Sequence, residues 1–269
     1  MQETLKSFGA AQWGGGGPSV QILEHDQRLC DACRVGDYNA AKKALEDGAN
    51  PSVQFRLALG EITPIFLCAS KGYKDIAELL IQHHADINRK MDFDGTICLH
   101  HAASNDQPEM CSFLISKGCS VNQRDKLGRT PLMDAAEIGS IKVIDVLVNN
   151  NADVNAEDRE HHTALSYCID FVSKKEPKFF ESAVALVNHG ANPNYAGKFA
   201  NRTLLHCAAA QGNLELVQQL VEVNKAALRV YDNEGKTPIK YSLEHKHQDV
   251  YEYLQQRLDL DSSPCCTIL

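Results

Sequence analysis

The chain lacks any apolar run approaching the ~18 residues a membrane-spanning helix needs, so no segment is predicted to cross a bilayer. Cations are the minority charge. There are 27 Lys and Arg against 35 Asp and Glu, a formal net charge of -8, and nucleic acid is excluded as the main partner because phosphate binding requires a concentrated basic face. The phosphate-loop, G-x-S-x-G, H-E-x-x-H and kinase signatures are all missing, so no catalytic residues, no cofactor and no metal are expected. The N-terminus has no basic-then-apolar secretory pattern. The ten cysteines therefore read as reduced thiols of a cytosolic or nuclear protein. Five of them, Cys68, Cys98, Cys111, Cys168 and Cys207, fall at core columns that a small apolar residue could equally fill. A chain 43% hydrophobic and 23% charged is nevertheless composed like a folded one.

What the sequence does have is recurrence. Thr63-Pro64-Ile65, Thr130-Pro131-Leu132 and Thr237-Pro238-Ile239 are clear copies of one motif, with weaker copies at Ile97, Thr163 and Thr203. The steps between successive copies are 34, 33, 33, 40 and 34 residues. Six residues after the reference stand Ala69, Ala103, Ala136 and Ala209, small enough to let one helix approach its neighbour's backbone. Seventeen residues after it stand Leu80, Leu114, Leu147, Leu220 and Leu254, an apolar ridge that a single repeat cannot bury alone. Gly36, Gly72, Gly139 and Gly212 mark the ends of the first helices. An earlier, degenerate unit aligns Gln27, Cys33, Gly36 and Gly48-Ala49-Asn50 with these columns, which gives seven units.

A period of about 33 residues opening on Thr-Pro-Leu resembles the ankyrin repeat from residue 26 to 258. The resemblance implies an all-α, right-handed solenoid of seven helix-turn-helix repeats with short β-hairpin loops. The expected organisation is a flexible N-terminal tail (1–24), a repeat domain (25–258) and an acidic flexible tail (259–269). The first and last repeats are expected to act as polar caps. The resemblance also implies a monomeric, non-catalytic module that binds protein through its hairpin tips and the concave side of its first helices. His100 and His206 would then be locally hydrogen-bonded and not catalytic. The matching concave positions are Asp134, Glu137, Ile138, Tyr167, Asp170, Phe171, Gln211, Tyr241, Glu244 and His245. Aromatic anchors among carboxylates suit a basic or amphipathic segment of a protein partner.

Departures from the period are candidate sites of specificity. Counted from Asn50, the first hairpin, around 55–59, is about five residues longer than its neighbours, and the fifth repeat carries six extra residues at 173–178. Cys30-Asp31-Ala32-Cys33 is a CxxC without the strand–helix context of a redox site or a second pair for zinc, so a structural role is expected. His83-His84 and His161-His162 read as solvated pairs without a third ligand. Asn88, Asn122, Asn155 and Asn194 each follow a Leu by eight residues. That spacing resembles substrates of the asparaginyl hydroxylase that modifies this family, with Asn122 and Asn155 the candidates, while closure of the hairpin by the amide explains the residue without modification.

The last four residues, Cys266-Thr267-Ile268-Leu269, have the form C-a-a-X, with a terminal Leu that resembles the geranylgeranylated variant. One prenyl chain holds weakly, the preceding Asp259 and Asp261 supply no basic patch, and Cys265 is the second signal available, as a palmitoylation site. The expectation is a cytoplasmic adaptor or regulator held on the cytoplasmic membrane leaflet by lipid. The alternatives are a free inhibitor or nuclear cofactor with an unmodified tail and, last, a Cys30/Cys33 redox enzyme.

Overall fold

The computed structural model describes residues 23–57, 60–172, 177–197 and 200–261. Seven helix pairs follow one another: α1 (Glu24–Val35) with α2 (Tyr38–Glu46), α3 (Pro64–Lys71) with α4 (Lys74–Gln82), α5 (Cys98–Ser104) with α6 (Pro108–Ser116), and α7 (Pro131–Ile138) with α8 (Ile141–Asn149). The last three pairs are α9 (Ala164–Val172) with α10 (Pro177–Asn188), α11 (Leu204–Gln211) with α12 (Leu214–Gln218), and α13 (Pro238–Glu244) with α14 (Gln248–Asp261). The first helices pack on one another in sequence, and the second helices form the other layer. One continuous core runs from Leu29 to Leu254 through every repeat. The expected solenoid is therefore the observed fold.

The motif residues do local work that explains their recurrence. Thr63, Thr130 and Thr237 are extended at the helix N-cap, and the Pro that follows sits at the first helical position, where a missing N–H costs nothing. Gly139 closes α7 at φ +70, a left-handed conformation, and a Cβ there would meet the Phe179 ring at 2.9 Å. The residue is glycine for conformation and for space together. The ridge residues Leu80, Leu114, Leu147, Leu220 and Leu254 are fully buried between successive second helices.

Several boundaries differ from the sequence reading. Strands β1 (Phe55–Leu57) and β2 (Gly60–Ile62) pair antiparallel across the first hairpin, whereas the hairpins before α7 and α13 are each closed by two backbone bonds, Asp125 N to Arg129 O with Gly128 N to Asp125 O, and Asp232 N to Lys236 O with Gly235 N to Asp232 O. The five-residue surplus in that first hairpin corrects to three. Asn50 accepts from Ser52 N as Asp86 accepts from Asn88 N, so Ser52, not Asn50, is the counterpart of Asn88 and Asn122. From Ser52 to Thr63 is 11 residues, and from Asn122 to Thr130 is 8.

Of the insertion at 173–178, Pro177 and Lys178 already belong to α10, which has 12 residues where α8 has 9. In the sixth repeat, one more residue separates Leu220 from Ala226 than Leu147 from Ala152. A π-helical turn, Gln219–Val223, absorbs it, with Asn224 N donating to Gln219 O. Glu24 lies in α1, and Asp259, Leu260 and Asp261 continue α14, although the sequence reading assigned all four to the tails.

Candidate functional site: the first-helix face of repeats four to seven

The hairpins of repeats five and seven each bring an Asp beneath the first helix that follows. In repeat five, Asp158 Oδ1 accepts the backbone N–H of Glu160 (2.8 Å) and His162 (3.0 Å), while Oδ2 accepts the Tyr167 hydroxyl at 2.7 Å. Repeat seven repeats the arrangement nine residues apart in sequence: Asp232 Oδ1 accepts from Glu234 and Lys236 N–H, both at 2.9 Å, and Oδ2 accepts the Tyr241 hydroxyl at 2.6 Å. An arginine from the preceding hairpin covers each ring, Arg129 at 5.1 Å from the Tyr167 centroid and Arg202 at 4.9 Å from Tyr241.

This geometry corrects one sequence expectation. Tyr167 and Tyr241 are 9% and 5% exposed, so they form the floor of the face and are not protruding anchors. The reason is chemical: a phenol beside a fixed carboxylate gains a charge-assisted hydrogen bond by turning inward. Burial and the facing Asp232 push the Tyr241 hydroxyl up to about 12, and the corresponding pair of causes raises Tyr167. The Phe171 side chain lies outside the described residues.

The carboxylates stand above that floor. Arg129 pairs with both Asp134 and Glu137, which leaves Asp134 largely covered and Glu137 more than a third exposed. Burial, with the Glu137 carboxylate adding to it and Arg129 pulling against it, leaves Asp134 raised to about 7. Glu244 is paired with Lys236 at 2.9 Å, and Lys236 also reaches Glu234 at 3.1 Å. Ile138 and Asp170 are half-buried, and Gln211, Glu244 and His245 are exposed. His245 stacks on the Tyr241 ring with centroids 6.1 Å apart and on His247 at 6.4 Å. The structure thus brings Asp134, Glu137 and Tyr167 together around Arg129, and Tyr241, Glu244 and His245 together around Lys236.

The exit asparagines do more than close their own loops. Asn122 Nδ2 donates to Asn151 O (3.0 Å) and Asn122 Oδ1 accepts Asp153 N–H (2.8 Å), both in the next repeat. Asn155 does the same with Gly190 O and Asn192 N, and Asn88 and Asn194 complete the series. His100 and His206 are likewise inter-repeat: each Nδ1 accepts from its helix N-cap N–H, and each Nε2 faces a carbonyl of the following hairpin. The Leu eight residues before each Asn carried this signal in the sequence, but the partner about 30 residues away did not show in it.

Elsewhere the candidate chemistry resolves into packing. Cys30 and Cys33 are buried, and burial, with Cys33, Asp26 and Asp31 close by, pushes the Cys30 thiol up, away from the reactive thiolate. His161 pairs with Glu157 at 2.8 Å, and His162 lies 3.7 Å from Asp158. Residues 173–176 and the tail cysteines Cys265 and Cys266 lie outside the described residues.

Comparison with known sequences agrees with this architecture. The profile described as ankyrin repeats, in three copies, matches residues 29–125, 99–196 and 172–263. The probable 26S proteasome regulatory subunit p28 of Saccharomyces cerevisiae is 30% identical over 195 residues, 71% of this chain and 82% of p28. A transient receptor potential cation channel subfamily A member 1 homolog of Caenorhabditis elegans is 31% identical over 70% of this chain, which spans only 15% of that protein. The probable E3 ubiquitin-protein ligase XBOS33 of Oryza sativa subsp. japonica is 28% identical over 77% of this chain, which spans 40% of it.

Proposed function

The chain belongs to the ankyrin-repeat family and is a protein-interaction module, and on that premise we propose that it is an adaptor or regulator whose repeats four to seven receive a basic or amphipathic segment of a protein partner. The observation that carries this reading is the set of carboxylates on the first helices, Glu137, Asp170 and Glu244, held above a floor of buried tyrosines. Ile138, Gln211 and His245 complete the contact surface. Glu137 is more than a third exposed, so a cationic partner can compete with Arg129 for it without opening the core. Such binding weakens with salt and is driven more by complementarity than by area.

The test is affinity capture with Glu137→Lys and Glu244→Lys together. Loss of the partner with an unchanged denaturation midpoint supports this face. Retention by the double variant, together with loss on deleting the first hairpin, moves the site to the N-terminal half.

The same proposal places the module on the cytoplasmic membrane leaflet through geranylgeranylated Cys266, with palmitoylated Cys265 as the second hold. Cys266→Ser should release the protein from membrane fractions, and intact mass of the chain from eukaryotic cells checks the lipid directly. Hydroxylation of Asn122 or Asn155 would add about 16 Da to its peptide. A second reading has one observation in its favour: the likeness to p28 covers most of both chains. It makes this chain a regulatory subunit of a larger assembly with an unmodified tail. Co-migration of Cys266→Ser with a large complex would favour that reading over the tether.

A further inference from the structure

The last helix is longer than the stack requires. α14 has 14 residues where α8 has 9, and among the described residues no further repeat covers its outer side. Along that side Tyr251, Gln255 and Asp259 make one ridge and Glu252, Gln256 and Leu260 the other, enclosing an open groove of about 460 Å³. Its polar groups are partly occupied: Gln255 Nε2 donates to Asp259 at 2.9 Å and Gln248 Nε2 to Glu252 at 2.8 Å. Gln256 adds one more amide, and Tyr251 and Leu260 supply the apolar part. Tyr251 is half-buried and Leu260 is 54% exposed at the groove's end, beside the point where the chain leaves the helix.

We propose that this groove is the docking site of the chain's own segment 265–269, Cys-Cys-Thr-Ile-Leu. The segment begins four residues after the end of α14 at Asp261 and is the apolar part of the residues beyond it. Pro264 cannot continue a helix, and Ser262-Ser263-Pro264 is a composition suited to reversing the chain. From Tyr251 to Leu260 the helix rises about 13 Å at ~1.5 Å per residue. Five extended residues span about 16 Å, enough to run back along the whole groove. Docking of this kind is intramolecular, and a short tether supplies an effective concentration of about 1 mM. An intrinsic Kd of about 0.1 mM would then suffice for roughly tenfold protection. The groove would compete with a membrane or a modifying enzyme for Cys265 and Cys266. It does not depend on lipidation, so the two ideas fail separately.

The test uses the full chain without lipid, alkylated by iodoacetamide and followed peptide by peptide by mass spectrometry. Cys265 and Cys266 should react about tenfold more slowly than in the free peptide 262–269, and Leu260→Asp should restore the peptide rate. Gln256→Glu is a milder second variant that keeps the helix and adds charge to the groove; it should accelerate alkylation partway. Peptide-like reactivity in the wild-type chain overturns the proposal. So does protection unchanged in both variants, and protection that vanishes on dilution puts a second copy's tail in the groove instead.

Discussion

The repeat-five and repeat-seven hairpins hold the same three residue types in the same register, yet their arginines behave differently. Arg202 reaches down to Asp232 at 3.3 Å, whereas Arg129 turns to Asp134 and Glu137 on its own following helix. The cause is two positions. Four and seven residues after the motif Thr, repeat four has Asp134 and Glu137, and repeat six has Cys207 and Ala210. An arginine with a carboxylate beside it on its own helix takes that partner; without one it crosses to the next repeat. Asp232 therefore collects Tyr241, two backbone N–H groups and Arg202. Although burial pushes it up, those partners hold it at about 2. Asp158 is lowered too, by the His162 and Glu160 amides and Tyr167 acting against burial. Two positions that differ between repeats thus decide whether an ion pair closes a repeat on itself or joins it to its neighbour.

The largest effect expected from breaking this comparison is at Arg129. Arg129→Ala strands two carboxylates, one of them nearly covered, and should cost about 3 kcal/mol at alkaline pH. Arg202→Ala leaves Asp232 with its hydroxyl and amide donors and should cost about 1 kcal/mol. Urea denaturation of the two variants should rank them in that order; equal losses would mean that Arg129 bridges the repeats as Arg202 does.

The tyrosines sharpen the contrast. Tyr167→Phe removes the donor to Asp158 Oδ2 and should cost about 2 kcal/mol, while Tyr241→Phe should cost about 1 kcal/mol because Arg202 remains on Asp232. Hydrogen exchange at the Glu160 and Glu234 amides reports each hairpin separately.

The smallest effects are pH slopes of opposite sign. Asp232 sits below the ordinary carboxylate value, so its contribution is complete above about pH 4 and lost as pH falls toward 2. Asp134 sits above it, at about 7. The folded chain therefore holds the extra proton, and that contribution is present below about pH 4 and lost as pH rises through 7. Urea midpoints at about pH 3, 5 and 8 should show Tyr241→Phe flattening the acid limb and Asp134→Asn the neutral one.

The contrast also shows what a sequence discloses. The Thr-Pro turns, the buried Leu ridge and the Gly stops recur at a fixed place in their repeats, and each was legible as a column. Asp134 and Glu137 were legible as concave-face residues for the same reason. Tyr167 and Tyr241 were placed on the correct helix turn but with the wrong exposure, because the deciding acceptor lies nine residues upstream and belongs to no apolar period. The misplaced Asn50 shows the converse: two asparagine positions two residues apart look alike until one reaches across to the next repeat.

That reach has a mechanical consequence. Ser52, Asn88, Asn122, Asn155 and Asn194 form a row of rungs, each fastening its repeat's exit loop to the next, with Ser52 a weaker rung of one bond at 3.4 Å. Asn194 is the last amide of the row, and the equivalent position of repeat six holds Arg229. On that side the seventh repeat is tied down by Tyr253 and Arg257 on Glu222, while His206 and Arg202 hold its hairpin side. A pull applied through the C-terminus is met first by these contacts of the seventh repeat, and the asparagine rungs behind them take up load only afterwards.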